Sequence, residues 1–116
     1  MRVQVIKMDK DAQNKIQQLQ ILEQNMQNFL MQKQQLQQQL LETESALDEL
    51  KNTEKAYKIV GNIMVSSKKD ELEKELKTKK DTLNLRLKSI EKQEDKLKEK
   101  SHSLQSEVLT SMKEEE

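Results

Sequence analysis

The fold is decided by one stretch, AYKIVGNIMVSS at residues 56–67, which separates two long polar arms of the chain. It contains the single Gly and the single Tyr of the sequence, and it is where β-branched residues cluster. A Gly-Asn pair between short apolar runs is typical of a two-residue β-hairpin, and Gly61 supplies the positive φ that a type II′ turn requires. We therefore predict that the chain reverses direction at Gly61 and Asn62.

The predicted hairpin needs a partner. An isolated two-stranded hairpin is at best marginally stable in water. Both of its edges would leave backbone N–H and C=O groups unpaired beside apolar side chains. We therefore expect the hairpin to pair with hairpins from other chains.

The composition argues against a globular core. Hydrophobic residues make up 33% of the chain, aromatic residues 2% and charged residues 36%, which leaves too little material for a compact interior. The absence of Pro and the single Gly favour helix over disorder. The expected fold class is mainly α: a long antiparallel two-helix coiled coil joined by one β-hairpin.

The first arm carries a coiled-coil seam. Apolar residues recur in a strict three-four alternation, and nine of its twelve positions are apolar. Asp9 or Asp11 is expected to cap the helix, and Ile16, Leu30 and Leu41 are expected to widen the seam. The twelve positions are Ala12, Lys15, Leu19, Leu22, Met26, Phe29, Lys33, Leu36, Leu40, Thr43, Leu47 and Leu50.

The second arm carries a matching seam. Ser67 and Asp70 fit a capping box that opens the helix, and two successive four-residue steps through Lys79 predict a local shift in phase. Exposed pairs such as Glu73 with Lys77 and Glu75 with Lys79 support the helix. The seam positions are Leu72, Leu76, Lys79, Leu83, Leu87, Ile90, Glu94, Leu97, Ser101, Leu104 and Val108.

The two arms share one register with the turn. Seam residues face each other if their numbers add up to about 123, as with Leu40 and Leu83, and the turn requires the same total because it pairs Val60 with Ile63. The predicted organisation is an apolar tail at 1–8, a helix at 9–54, the hairpin at 55–67, a helix at 68–112 and an acidic tail at 113–116.

Composition and motifs exclude most other classes of function. The 21 basic and 21 acidic side chains give no net charge to attract nucleic acid, no Cys is present, and no run approaches the roughly 18 apolar residues of a membrane span. The single His, His102, has no triad partners, since Ser101 and Ser103 diverge from it around the helix. We expect a cytoplasmic protein that is not an enzyme and has neither metal nor cofactor.

Apolar residues at both chain ends have no obvious internal partner, and the predicted register brings the two ends together. They are Val3, Val5, Ile6 and Met8 before the first arm, and Val108, Leu109 and Met112 at the end of the second. Two interpretations are open: frayed ends with incidental apolar residues, or an adhesive surface that captures apolar segments of other chains.

Two segments carry a resemblance to a known family: YKIVGNIMV at residues 57–65 and KDEL at residues 69–72. Placed between two coiled-coil arms of equal length, they resemble the beta-type subunit of archaeal prefoldin. The Gln-rich first arm and the segment IEKQE at residues 90–94 are also similar to that family. The resemblance covers nearly the whole chain, and its specific part is the Tyr-Lys-x-x-Gly-Asn motif.

The resemblance implies a hexamer with alpha-type prefoldin subunits, two alpha and four beta, whose hairpins assemble into an intersubunit β-barrel. It implies an ATP-independent chaperone, a holdase that binds unfolded client proteins at the coiled-coil tips and delivers them to a group II chaperonin. The residues implied in assembly are Tyr57, Ile59, Val60, Gly61, Ile63, Met64 and Val65. The residues implied in client binding are Val3, Val5, Ile6, Met8, Ala12, Ile16, Val108, Leu109 and Met112.

A function of a different class is also open. In this alternative, the chain is a structural homo-oligomeric tether or scaffold that binds no client, and its hairpin is a bend or a dimerisation element. This alternative predicts that trimming both chain ends leaves function unchanged. After the same trimming, a chaperone subunit would still assemble but would no longer capture clients.

Overall fold

The computed structural model describes residues 10–114, with side chains up to Ser111. It contains α1 (Lys10–Lys51), β1 (Ala56–Val60), β2 (Ile63–Ser67) and α2 (Lys69–Glu114). The predicted order of helix, hairpin and helix is confirmed. Helix α1 ends at Lys51, before the predicted boundary at 54, and residues 52–55 connect it to β1.

The chain divides into two compact units. We call residues 1–31 and 91–116, of which 10–31 and 91–114 are described, the terminal unit, and residues 32–90 the hairpin unit. In each unit a part of α1 packs antiparallel to a part of α2. Cross-helix ion pairs link Lys15 with Glu107 in the first unit and Glu44 with Lys80 in the second, which agrees with the predicted register.

The seam of α1 is confirmed at all twelve positions, each of which is buried or half-buried. The polar member Thr43 is buried, and its hydroxyl donates to the Gln39 carbonyl oxygen at 2.7 Å, so its polar group is satisfied. Ile16 is half-buried, but Leu30 and Leu41 are exposed. A residue one step beyond the seam lies about 100° around the helix and is covered only where the facing helix reaches it, as at Ile16 and not at Leu30 or Leu41. The predicted widening is therefore wrong at those two positions.

The seam of α2 differs from the prediction at one position. Lys79 is exposed, whereas Lys80 is half-buried and its ammonium lies 3.7 Å from the Glu44 carboxylate. The stem of Lys80 therefore occupies the seam while its charge stays near the surface. With Lys80 in place of Lys79, the four-three alternation is regular from Leu76 to Val108. The two successive four-residue steps therefore run from Leu72 through Leu76 to Lys80, nearer the hairpin than predicted.

The hairpin has the predicted register. Strands β1 and β2 pair antiparallel from Ala56 opposite Ser67 to Val60 opposite Ile63. Gly61 has a φ of 61°, and no other described residue has a positive φ. A positive φ at the first central residue alone is the pattern of a type II′ turn, as expected.

Helix α2 begins differently from the prediction. Ser67 is the last residue of β2, and the Leu72 N–H donates to the Lys68 carbonyl at 3.0 Å. Lys68 is thus the N-cap of α2, and the predicted capping box is wrong because strand pairing holds Ser67. Asp9 lies outside the described residues, and Asp11 lies within the first turn of α1.

Candidate functional site

The hairpin presents apolar side chains on both of its faces. Side chains alternate between the two faces along a strand, and the cross-strand register decides which ones share a face. Tyr57, Ile59 and Met64 therefore lie on one face. Val60, Ile63 and Val65 lie on the other.

All six of these side chains are exposed, with exposed fractions between 41% for Val65 and 69% for Ile59. The sheet of the described residues has two strands, so each strand keeps one edge without a backbone partner. Exposed apolar surface beside open strand edges is a template for pairing with another chain. The hairpin is therefore a candidate assembly surface, and Gly61 sets its turn.

A charge-assisted hydrogen bond connects the hairpin to α2. The Lys58 ammonium donates to the Glu75 carboxylate at 2.9 Å. Ala56, two residues earlier in β1, is buried. This bond was not predicted from the sequence. The available signal was Lys58 itself, since it is the only charged residue within the strand pair.

The residues expected to bind clients fall into three groups. Val3, Val5, Ile6 and Met8 lie outside the described residues, as does the side chain of Met112. Ala12 and Val108 are buried, and Ile16 is half-buried. Leu109 is exposed over 60% of its surface, so among the described members it is the one available for contact.

An ion-pair cluster joins the two helices in the terminal unit. The Lys15 ammonium lies 3.2 Å from the Glu107 carboxylate on α2 and 3.7 Å from the Asp11 carboxylate one turn earlier on α1. The hydrogen bond to Glu107, together with the two negative charges, raises the pKa of Lys15 above its ordinary value. The signal that could have found this pair was a lysine at a seam position with an acid near its register partner.

The described residues contain no group of three or more side chains suited to hold a metal ion. His102 is exposed and lines an open groove with Leu19, Met26 and Lys98. No helix in the described part of the chain has the length and apolarity needed to cross a membrane.

Known proteins provide matches along almost the entire chain. The family model described as prefoldin subunit matches residues 13–115. Prefoldin subunit beta of Archaeoglobus fulgidus is 40% identical over 92 residues, which cover 77% of this chain and 79% of that protein. Prefoldin subunit beta of Thermococcus kodakarensis is 36% identical over 105 residues, which cover 88% of this chain and 90% of that protein.

A solved structure is similar to the fold described above. The crystal structure of the prefoldin beta subunit from Thermococcus strain KS-1 superposes with a TM-score of 0.86 at 34% sequence identity. The match covers 93% of this chain and 97% of that one. The helix, hairpin and helix are therefore shared across nearly the full length of both.

Proposed function

Since this chain belongs to the prefoldin family, whose beta subunits are chaperone subunits and not enzymes, we propose that it acts as an ATP-independent holdase subunit. It assembles through its hairpin with alpha-type subunits into a hexamer of two alpha and four beta chains. The helix ends of the terminal unit bind non-native polypeptides, and the assembly delivers them to a group II chaperonin in the cytoplasm.

The observation that carries this proposal is the exposed apolar hairpin. A soluble chain rarely leaves a contiguous apolar surface in water unless another molecule covers it. Here the surface has apolar residues on both faces, so a partner on one face alone would leave the other face exposed to water. Closure of several hairpins into a β-barrel removes the open edges and covers the inner face at the same time.

Client capture is supported by the chemistry of the terminal unit. Leu109 is exposed there, and Ile16 is half-buried. Further exposed apolar side chains in the same unit are Ile21, Leu30 and Met31. Weak apolar contacts of this kind reach useful affinity when several linked subunits bind one client, because linkage gives the later contacts a high effective concentration. Capture by this route needs no energy from ATP.

The hairpin substitutions Ile59→Ser and Ile63→Ser test the assembly, one on each face. Each removes an apolar side chain whose burial is worth about 1.5 to 3 kcal/mol, so we expect assembly with an alpha-type subunit to weaken at least roughly tenfold. Native mass spectrometry of the mixed subunits measures the loss of hexamer.

Leu85→Ser is the matched control for these variants. Leu85 is 68% exposed, almost the same as Ile59 at 69%, but it lies on α2 outside the hairpin. We expect the control to assemble like the unmodified chain. An unchanged hexamer in both hairpin variants would refute assembly through this surface.

A further inference from the structure

A cleft opens in the hairpin unit where the two helices meet the hairpin. We call it the root cleft. It has a volume of about 230 Å³ and is open to solvent. Its apolar walls are Ala46 and Leu50 at the end of α1, Ala56 in β1, and Leu72 and Leu76 at the start of α2. The cleft therefore lies outside the exposed apolar hairpin described above but directly beside it.

The root cleft lies along the free edge of β1. Ala56 and Tyr57 of β1 line it, and no described residue of β2 does. Because β2 occupies one edge of β1, the edge next to the cleft is the one without a backbone partner. A strand that joins the hairpin at β1 must therefore pass the cleft.

The face of β1 that carries Ala56 points toward the helices. Ala56 is 7% exposed. Lys58, two residues later and thus on the same face, donates to Glu75 on α2 at 2.9 Å. Directly opposite residues of neighbouring strands project their side chains on the same face. The residue of an added strand that lies opposite Ala56 therefore points toward the helices and into the root cleft.

The walls of the cleft favour an apolar side chain. Leu72 and Leu76 belong to the seam of α2, yet both are only half-buried. Water against such walls finds few hydrogen-bond partners, and its displacement by an apolar group favours binding. The side chain of Ala56 is short, so it leaves room for a larger side chain across the ladder.

We propose that the root cleft is a second contact for the alpha-type subunit, and that it holds an apolar side chain of the strand that pairs with β1. The inference rests on the proposed function and extends assembly from the hairpin to the ends of both helices. The occupant is the residue opposite Ala56, of the size of valine, leucine or isoleucine. The cleft then selects the register of the added strand, because a slip by one residue turns that side chain to the other face.

Ala46→Met tests the inference, because it fills the cleft from α1 and leaves the hairpin unchanged. We expect affinity for an alpha-type prefoldin subunit, measured by isothermal titration calorimetry, to fall at least about ten-fold, since the incoming apolar side chain loses its site. Urea unfolding of the variant alone should show no loss of stability, because the added side chain occupies existing space. Ser45→Met is the matched control: Ser45 is exposed, does not line the cleft, and should bind like the unmodified chain.

A cross-linking measurement tests the contact without filling the cleft from α1. The photoreactive residue p-benzoylphenylalanine placed at Thr53, an exposed residue that lines the cleft, should cross-link to the alpha-type subunit in the assembled complex. The same residue at Leu85, outside the hairpin, should not. Full affinity in Ala46→Met, or no cross-link from Thr53 in a complex that forms, would overturn the root cleft and leave the proposed function standing. An unmodified chain that binds no alpha-type subunit would refute the proposed function, and the inference with it.

Discussion

Gly61 holds the one backbone conformation in the described chain that other residues rarely adopt. Its φ is 61°, and a Cβ added there would meet no atom within 4 Å. A side chain at this position is therefore opposed by backbone strain and not by lack of space. Asn62, its neighbour in the turn, has no positive φ.

Gly61→Val is expected to disrupt the hairpin and leave the helices largely intact. A β-branched residue held at positive φ costs about 1 to 3 kcal/mol, and the strand register depends on the turn. Circular dichroism should show most of the helix signal preserved, while native mass spectrometry with an alpha-type subunit shows loss of the hexamer. Asn62→Val, at a position without positive φ, is the control, and equal assembly of the two variants would contradict the assigned turn.

The two helices are stabilised by a narrow seam, and the rest of their surface is polar. Leu83 and Leu85 lie two residues apart on α2, yet Leu83 is buried and Leu85 is exposed. The difference is rotational, since two residues correspond to about 200° around a helix. Each seam leucine therefore contributes to stability in a way that its neighbours do not.

Leu83→Ala is expected to destabilise the folded chain by about 2 to 5 kcal/mol, because it removes a buried side chain and leaves a cavity. Leu85→Ala should change stability by no more than about 0.5 kcal/mol. Urea unfolding followed by circular dichroism measures both variants. Similar losses in the two would mean that the seam does not pass through Leu83.

At the scale of the whole molecule, the charges balance and the apolar residues decide the contacts. The 21 basic and 21 acidic side chains cancel, so the chain has no net field to draw charged partners. Its exposed apolar residues include the hairpin set and, in the terminal unit, Leu109. The surfaces proposed for assembly and for client capture thus lie in different parts of the sequence, and variants can separate them.

Removal of residues 1–8 and 109–116 is expected to abolish suppression of client aggregation and to leave the hexamer intact. The deleted segments contain Val3, Val5, Ile6, Met8, Leu109 and Met112, whereas the hairpin is untouched. Light scattering of a denatured client and the native mass of the complex measure the two properties. Full suppression by the truncated chain would contradict client capture at the chain ends.

The sequence by itself determined the order of elements, the seam of α1 and the register of the hairpin. Helical and strand periods fix which residues share a face, and the Gly-Asn pair fixes the turn. These are local properties, so no knowledge of distant contacts was needed. The family resemblance rested on the same local motif.

The tertiary structure alone decided how individual side chains are used at contacts between elements. It placed Lys80 in the seam in place of Lys79, tied Lys58 to Glu75, and paired Lys15 with Glu107 across the two helices. A long charged side chain has many rotamers, and its partner is set by the neighbouring element.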